Sequence, residues 1–338
     1  MRLFSVFIFC FAVLGTLSLK EPLQSFVRVD LAGAAQGTTW HITYYGNDTI
    51  VTKWQIDSLL AVIDSSVSIY KSYSKIVAFN ISDSGTVIDE HFRRVVEKSL
   101  DTYHQTDGGF DITILPIVEA WGFGPKSIDS MPDSTKIGSL LPCIGSQYLK
   151  LDGYRLTKLK PCIKIDVNGI AQGYTVDVIS AFLEKNGIIN YIVELGGEVR
   201  IHGKKQPGNE LFKIGIEAPP DNDFMSQPIK KILVIDSGAI TTSGNYRKYY
   251  ESKGKKVSHL MDPHTGYPIQ NEMISVTVYA KDAITADAYD NALMGMGLKR
   301  AMKFIEKRND LAAYFIYHLP DGNTADTAST KFYNLVQR

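Results

Sequence analysis

Cysteine is scarce in this chain, and its scarcity excludes two classes of protein. Of 338 residues, three are cysteine: Cys10, Cys143 and Cys162. That is too few for a disulfide scaffold, and no CxxC or Cys/His spacing points to zinc. A surplus of either charge is also missing, since 36 basic residues face 36 acidic ones. A chain whose main business is binding nucleic acid carries an excess of Lys and Arg, so no nucleic-acid partner is expected. No Pro/Gly/Ser linker divides the sequence, and it contains no internal repeat. With 44% hydrophobic residues, it can bury the core of one large domain or of two intimately packed ones.

Long apolar runs are lacking too, with one exception. Met1-Arg2 precede LFSVFIFCFAVLGTLSL, uncharged until Lys20. A short basic start and such a run read as a secretory signal peptide over residues 1–18, with cleavage after Gly15 or Ser18. The run is close to the minimum spanning length, so an uncleaved anchor is the other reading. Phe7-Ile8-Phe9 before Cys10 do not form a lipobox, which takes a small residue just before the cysteine. Export leaves Cys143 and Cys162 in an oxidising space, as a disulfide or as two separate thiols. The mature domain is expected over residues 28–338.

What is present is a series of ordinary elements. GTTWHITYY at 37–45 alternates like a strand. Residues 52–69 and 90–106 carry helical periodicity, and a short helix is expected within 126–142. Three strands are expected at 147–152, 154–159 and 163–167, the first two joined at Asp152-Gly153. A helix covers 170–186, and YIVELGGEVRIHG reads as two strands bent at Gly196-Gly197. Strands at 211–216, 231–235 and 256–261 follow, then helices at about 285–296 and 298–308, the strand AAYFIYH and a weakly structured tail. Strands and helices do not alternate regularly. This argues against a doubly wound parallel sheet and for a mixed α+β domain of largely antiparallel sheets packed with helices.

Between these elements lie polar, glycine-bearing segments. GGFDITILPIVEAWGFGP at 108–125 has Asp111 after an aromatic and closes on Trp121, Gly122 and Phe123. It reads either as a packed turn with a core Trp or as aromatics stacked on a planar ligand. DVNGIAQGYTVD at 166–177 sets Asp166 and Asn168 at the mouth of a helix whose free N–H groups suit a phosphate; an ordinary strand-to-helix connection fits as well. It is not a Walker A loop. ELGGEVR at 194–200 is a bend or a close passage of backbone past a ligand. TTSGNYRKYY at 241–250 reads as a polar loop, and HLMDPHTGYPI at 259–269 as turn chemistry with two histidines. ITADAYDNALMGMG at 284–297 reads as a core helix with Thr285 at the N-cap. Asp287 and Asn291 share one face and offer two oxygens to one point, as a hard cation requires; dipole and local hydrogen bonding explain the same pair without a metal.

In this order the segments resemble the ApbE family, the FAD:protein FMN transferases. The resemblance runs from about Gly37 to Lys307. It includes SIYKSYSKIVAFN at 68–80, similar to S-x-Y-x-x-x-S-x-I-x-x-F-N, and DVNGIAQGYTVD, similar to D-x-x-x-I-A-K-G-Y-x-x-D. TADAYDNALMGMG is similar to T-A-D-A-x-x-T-A-L. The resemblance implies an ApbE-like, T-fold-related single large domain that is exported, periplasmic or attached to the outer side of a bacterial membrane. It implies FAD as substrate, Mg²⁺ as cofactor, and transfer of FMN to a Thr or Ser of a partner flavoprotein, with release of AMP. Subunits of membrane ion-pumping redox complexes are the typical acceptors.

Site roles follow by resemblance. Asp287, Asn291 and the Ala171 carbonyl are the expected metal ligands, with Asn291 standing for the family's Thr. Gln172 stands for the Lys of I-A-K-G, which removes a positive charge. His259 is the expected base, with Asp262 as fallback or orienting group. Thr242, Ser243 and Arg247 are expected on phosphate or ribose. Tyr70, Trp121 and Tyr174 are expected against flavin or adenine. Gly122, Phe123, Asp166, Asn168, Gln172, Glu194, Gly196 and Gly197 complete the expected FAD site. An Mg²⁺-dependent FAD pyrophosphatase and a non-catalytic FAD-binding protein are the competing functions.

Overall fold

The chain enters its fold as a hairpin. Strands β1 (Val27–Ala35) and β2 (Thr38–Gly46) pair antiparallel. Gln36 and Gly37 turn between them with φ of 51° and 75°, as a twisted two-residue turn demands. This computed structural model describes residues 26–125, 128, 130–217, 229–245, 249–252 and 255–336, with 249–252 and 255–257 described by backbone alone. The expected signal peptide at 1–18 and Arg247 lie outside the described residues.

Helix α1 (Lys53–Val67) opens at Thr52, whose N–H donates to the Gln55 side chain at 2.9 Å, half of a capping box. Helix α2 (Lys75–Ile81) and strand β3 (Gly85–Val87) lead to α3 (Glu90–Gln105). Asp89 caps α3, accepting the Phe92 N–H at 3.0 Å. Next come α4 (Leu115–Ala120), α5 (Ser134–Leu140) and the hairpin of β4 (Leu149–Asp152) and β5 (Arg155–Lys158). The second half runs α6 (Ala171–Lys185), β6 (Asn190–Leu195), β7 (Glu198–His202), β8 (Phe212–Glu217), β9 (Ile229–Ile235) and β10 (Ser237–Gly244). It closes with β11 (Tyr249–Ser252), β12 (Lys255–Ser258), β13 (Met273–Ala280), α7 (Ala283–Met296), α8 (Leu298–Ile305), β14 (Ala312–His318) and β15 (Thr324–Ala328).

Among the described residues the main sheet orders its strands β1-β2-β6-β7-β10-β13-β14-β15. Every neighbouring pair is antiparallel. The α+β architecture expected from the sequence is therefore the observed one, a single domain. One face of the sheet is covered by α1, α6 and α7, through Ile56, Val176 and Ala283 near one end and Tyr289 and Leu293 near the other. The opposite face packs on Phe212, Leu233 and Phe332. β13 lies between the layers, with Ile274 in one cluster and Val276 and Val278 in the other. MISVTVYA carried no strand expectation, although Val276, Val278 and Ala280 alternate with Ser275, Thr277 and Tyr279.

Four local expectations are corrected. IKIDV at 163–167 forms only an isolated bridge, Ile114 with Lys164. The Asn80 side chain takes the place of a partner strand there: its amide donates to the Ile165 carbonyl at 2.9 Å and accepts the Ile165 N–H at 2.7 Å. TTSG at 241–244 is the end of β10 rather than a loop. The tail adds β15 to the sheet edge. The N-cap of α7 is Asp282, which accepts the Thr285 N–H at 3.0 Å. Cys143 and Cys162 are joined by a disulfide, with Cα atoms 5.5 Å apart. No helix among the described residues is long and apolar enough to cross a membrane.

Candidate active site

The site is built where α6 and α7 touch near their N-termini. A Cβ on Gly173 would lie 2.3 Å from the Ala283 carbonyl oxygen and 2.7 Å from the Asp287 Cβ, so only glycine lets α7 approach this closely. At that distance Asp287 Oδ2 accepts the Gly173 N–H at 2.8 Å. One turn further along α6, Asp177 returns the contact. Its carboxylate accepts the N–H groups of Ala283 and Ile284 at 2.9 and 2.8 Å and is held by Arg200. Each helix thus caps the other with a carboxylate, where orphan donors and the dipole favour negative charge.

This capping corrects one expectation. The first-turn donors of α6 are largely spent inside the protein: the Ala171 N–H goes to the Val167 carbonyl at 2.9 Å and the Gly173 N–H to Asp287. The helix N-terminus is occupied by a carboxylate, not presented bare to a phosphate.

Asp287 faces a cavity of about 690 Å³, within the range of small-molecule sites. Its walls come from distant parts of the chain: the Gln36-Gly37 turn, the end of α1 with Tyr70 and Lys71, the Gly109–Ile114 segment, the turn into α6, the end of β10, and the His259–Met261 segment. Asp290 and Asn291 line it beside Asp287. Asp287 and Asp290 are 4% and 1% exposed, and neither has a Lys or Arg partner among the described residues. Burial pushes the Asp287 carboxyl up to about 7 against the pull of the Gly173 N–H. Burial, then the charge of Asp287, pushes Asp290 well above the usual carboxylate range. Buried carboxylates without cationic partners create a demand for positive charge.

Among the described residues no group of three or more His, Cys, Asp or Glu is placed to hold a metal. A cation here would draw on a mixed oxygen set of carboxylate, amide and main-chain carbonyl, completed by water or substrate phosphate. That set suits a hard ion that keeps part of its shell. The residues present therefore fit the divalent ion implied by the resemblance. The Ala171 carbonyl accepts the Thr175 hydroxyl at 2.7 Å, which fixes its direction. The Asn291 amide oxygen accepts from Ser243 Oγ at 3.2 Å.

Two further carboxyls line the cavity. Asp111 is buried and accepts from the Thr113 N–H and hydroxyl at 2.8 and 2.7 Å and from the Ser146 N–H and hydroxyl at 3.1 and 2.6 Å. Burial raises its carboxyl despite these donors. Asp166 accepts the Asn168 N–H at 2.8 Å, and burial pushes it up to about 6. Tyr70, half-exposed at the rim, is raised by burial and by the Asp166 charge.

The cavity brings together Tyr70, Phe123, Asp166, Asn168, Ala171, Gln172, Gly196, Thr242, Ser243, His259, Asp287 and Asn291 from the expected site. Six expected residues stand elsewhere. Trp121 is buried, its indole N–H donating to the Gly266 carbonyl at 2.8 Å, so it packs a turn and not a ligand. Gly122 turns the chain beside it at φ 83°. Tyr174 lies in the core with its hydroxyl 2.8 Å from His91 Nδ1. Glu194 pairs with His41 at 2.9 Å and accepts the Gly197 N–H at 2.8 Å, so both serve the β6–β7 hairpin. Asp262 accepts the His264 N–H and the Thr265 hydroxyl at 2.9 and 3.0 Å and holds its own turn.

Sequence reasoning missed Gln36, Asp64, Glu198 and Asp290, all cavity-lining. Asp290 was within reach, since it stands three residues from Asp287 and shares its helix face. Gln36 and Asp64 carried no local signal; their place depends on the β1–β2 turn meeting α1, where the Gln36 amide stands 3.4 Å from Asp64 and 3.0 Å from Thr175.

Comparison with known proteins bears on the chain and its fold. The sequence model described as the ApbE family matches residues 36–315. A FAD:protein FMN transferase of Haemophilus influenzae is 31% identical over 94% of this chain and 94% of its own length. One from Escherichia coli K12 is 34% identical over 85% of this chain and 83% of its own. Among solved structures, the flavin transferase ApbE of Vibrio cholerae superposes with a TM-score of 0.82 at 32% identity, covering 92% of this chain and 100% of that one.

Proposed function

The chain belongs to the ApbE family, and from that premise we propose that it is an FAD:protein FMN transferase, using Mg²⁺ to attach FMN through a phosphoester to a Thr or Ser of an exported or membrane flavoprotein. The observation that carries this reading is the convergence of segments far apart in sequence on one cavity whose floor is oxygen-rich and buried.

In the proposed reaction the acceptor hydroxyl oxygen attacks the FMN-side phosphorus of FAD. A new P–O bond forms as the P–O bond to AMP breaks. The hydroxyl proton passes to a base, and AMP leaves with the bridging oxygen. His259 is the base we assign: it lines the cavity, its ring stands edge-on to Phe123 at 6.2 Å, and imidazole titrates near working pH. Asp262, the fallback, stands outside the cavity lining and accepts the His264 N–H and the Thr265 hydroxyl. Asp287, Asn291 and the Ala171 carbonyl are the residues that would hold Mg²⁺, which supplies positive charge to offset the charge developing on the phosphoryl and leaving oxygens. Asn168, Thr242 and Ser243 offer hydrogen bonds to phosphate or ribose, and Tyr70 and Phe123 offer rings to the flavin or adenine. Gln172, whose amide reaches the Gln36 carbonyl at 3.5 Å, steadies the turn without adding charge. The apolar N-terminal segment supports export, with activity at the outer side of a membrane.

The test is incubation with FAD, Mg²⁺ and acceptor proteins, read by in-gel flavin fluorescence, mass spectrometry of the acceptor, and chromatography of AMP. A covalent FMN adduct formed in step with AMP is the expected result. Free FMN with AMP and no adduct would instead identify a pyrophosphatase, and bound FAD without AMP a flavin-binding protein.

A further inference from the structure

Asn291 is where this chain departs from the T-A-D-A-x-x-T-A-L pattern, and the departure raises a chemical problem that a threonine does not. A carboxamide has two ends of similar size. Its oxygen can face a cation, but its NH₂ group cannot. With nothing to orient it, the side chain would present the wrong end part of the time.

The structure contains an orienting set. Asn291 Nδ2 donates to the Gly169 carbonyl at 3.2 Å, to the Asp287 main-chain carbonyl at 3.0 Å and to Asp290 Oδ1 at 2.9 Å. Its Oδ1 accepts from Ser243 Oγ at 3.2 Å. A flipped amide would set an oxygen against three oxygen acceptors. The nitrogen edge also fits closely: a Cβ on Gly169 would lie 3.3 Å from Nδ2 and 3.4 Å from Cγ, so residue 169 leaves just enough room for the NH₂ group. Two of the three acceptors are main-chain carbonyls. The third, Asp290, is the one side chain among them, and it is 1% exposed beside the amide.

We propose that Asp290 is a positioning residue that locks the Asn291 amide with its oxygen toward the cation position, so that Asp290 and Asn291 together do the work of a single threonine. The inference rests on the proposed cation site, and it concerns how that site is oriented, not whether it exists. Asp290 acts through Asn291. A residue that acts only through its neighbour loses its influence when the neighbour no longer needs orienting.

A double-mutant cycle on the full chain tests this, with Mn²⁺ as probe, no FAD present, and affinity read by electron paramagnetic resonance of free Mn²⁺. The four proteins are wild type, Asp290→Ala, Asn291→Thr and the double variant. Asp290→Ala is expected to weaken Mn²⁺ binding ~10- to 100-fold, the usual loss when the partner that orients a ligand is removed. In the Asn291→Thr background the same substitution is expected to change affinity by less than about twofold. An equal loss in both backgrounds would overturn the proposal, because Asp290 would then be a direct ligand or a general structural support. No loss in either background would overturn it as well. Wild type that binds no Mn²⁺ would remove the cation site and this inference with it, whereas wild type that binds Mn²⁺ no better than Asp290→Ala would sink the inference alone. If Asp290→Ala fails to fold, Asp290→Asn carries the test, since it keeps an acceptor for Nδ2 and removes the charge. Near-wild-type affinity supports positioning; a loss as large as that of Asp287→Ala would make the charge itself the ligand and refute it.

Discussion

Asp287 on one helix accepts the N–H of Gly173 on another at 2.8 Å, so the residue proposed to hold the cation is itself held by the end of α6. The contact depends on the missing side chain at 173, where a Cβ would fall 2.3 Å from the Ala283 carbonyl. Gly173→Ala should push the helices apart. The expected cost is ~1–3 kcal/mol of stability, typical of overpacking, with a parallel loss of Mg²⁺-dependent AMP release. Urea unfolding and AMP chromatography check the two halves; unchanged activity in a destabilised variant would mean that Asp287 does not need its partner helix.

Asp287→Ala and His259→Ala should fail differently. The first removes a ligand and should lower AMP release by ~10²-fold or more while abolishing its dependence on Mg²⁺. The second removes only the proposed base, so FAD should still bind while transfer falls ~10²- to 10⁴-fold. Equilibrium FAD fluorescence separates binding from turnover. Full transfer by the His259 variant would send the search for a base to the buried carboxyls Asp111 and Asp166, which also line the cavity.

How much of this was legible in the sequence depends on the range of the interaction involved. The Asp287–Asn291 pair follows from helical period alone, and the mixed α+β class from the irregular order of elements. The glycine at 173 could not be read as a helix-contact residue, because its reason lies 110 positions away at Ala283. Asp262 showed the opposite failure: next to a proline and near His259 it looked chemical, yet its hydrogen bonds are purely local. β10 was hidden for a third reason. TTSG is polar because its inner end lines the cavity, where hydroxyls are wanted and alternation is lost.

Asp166 makes the pH dependence of stability testable. Burial holds its folded pKa at about 6 against an ordinary 3.8, so the folded chain prefers the protonated acid. That preference contributes fully below about pH 4 and is lost as pH rises through about 6. Asp166→Asn keeps an oxygen for the Asn168 N–H and never ionises. It should match wild type near pH 4 and exceed it by up to about 3 kcal/mol at pH 8. Denaturant unfolding at both pH values decides; a constant difference between them would mean that the carboxyl is not perturbed.

The disulfide should matter to FAD as well as to stability. Cys143 lies three residues before Ser146, which is hydrogen-bonded to Asp111, and Cys162 four residues before Asp166, whose N–H donates to the Ile112 carbonyl at 2.7 Å. The bridge therefore ties together two segments that back one wall of the cavity. Replacing both cysteines by serine removes a crosslink across a separation of 19 residues. The chain-entropy account gives a loss of about 3 kcal/mol, and the loosened wall should raise KM for FAD with less effect on kcat. Unchanged KM in the serine variant would confine the bridge to folding.

Trp121 and Phe123 stand two residues apart and should answer mutation in opposite ways. Trp121 was expected against the flavin, but its ring is buried beneath the 262–267 turn, edge-on to Tyr267 at 5.9 Å, with its N–H on the Gly266 carbonyl. Trp121→Phe leaves that carbonyl without its indole donor, which costs ~1–3 kcal/mol, and should leave KM for FAD near its wild-type value. Phe123 lines the cavity beside His259. Phe123→Ala should spare stability by comparison, because the ring is only half-buried, and should raise KM by removing a face on which a planar ring can pack. Thermal melts and steady-state kinetics on the two variants give four numbers. If Trp121→Phe raised KM at unchanged stability while Phe123→Ala did neither, the two aromatics would have to exchange roles, and the wall that this turn contributes to the cavity would need rebuilding around the indole.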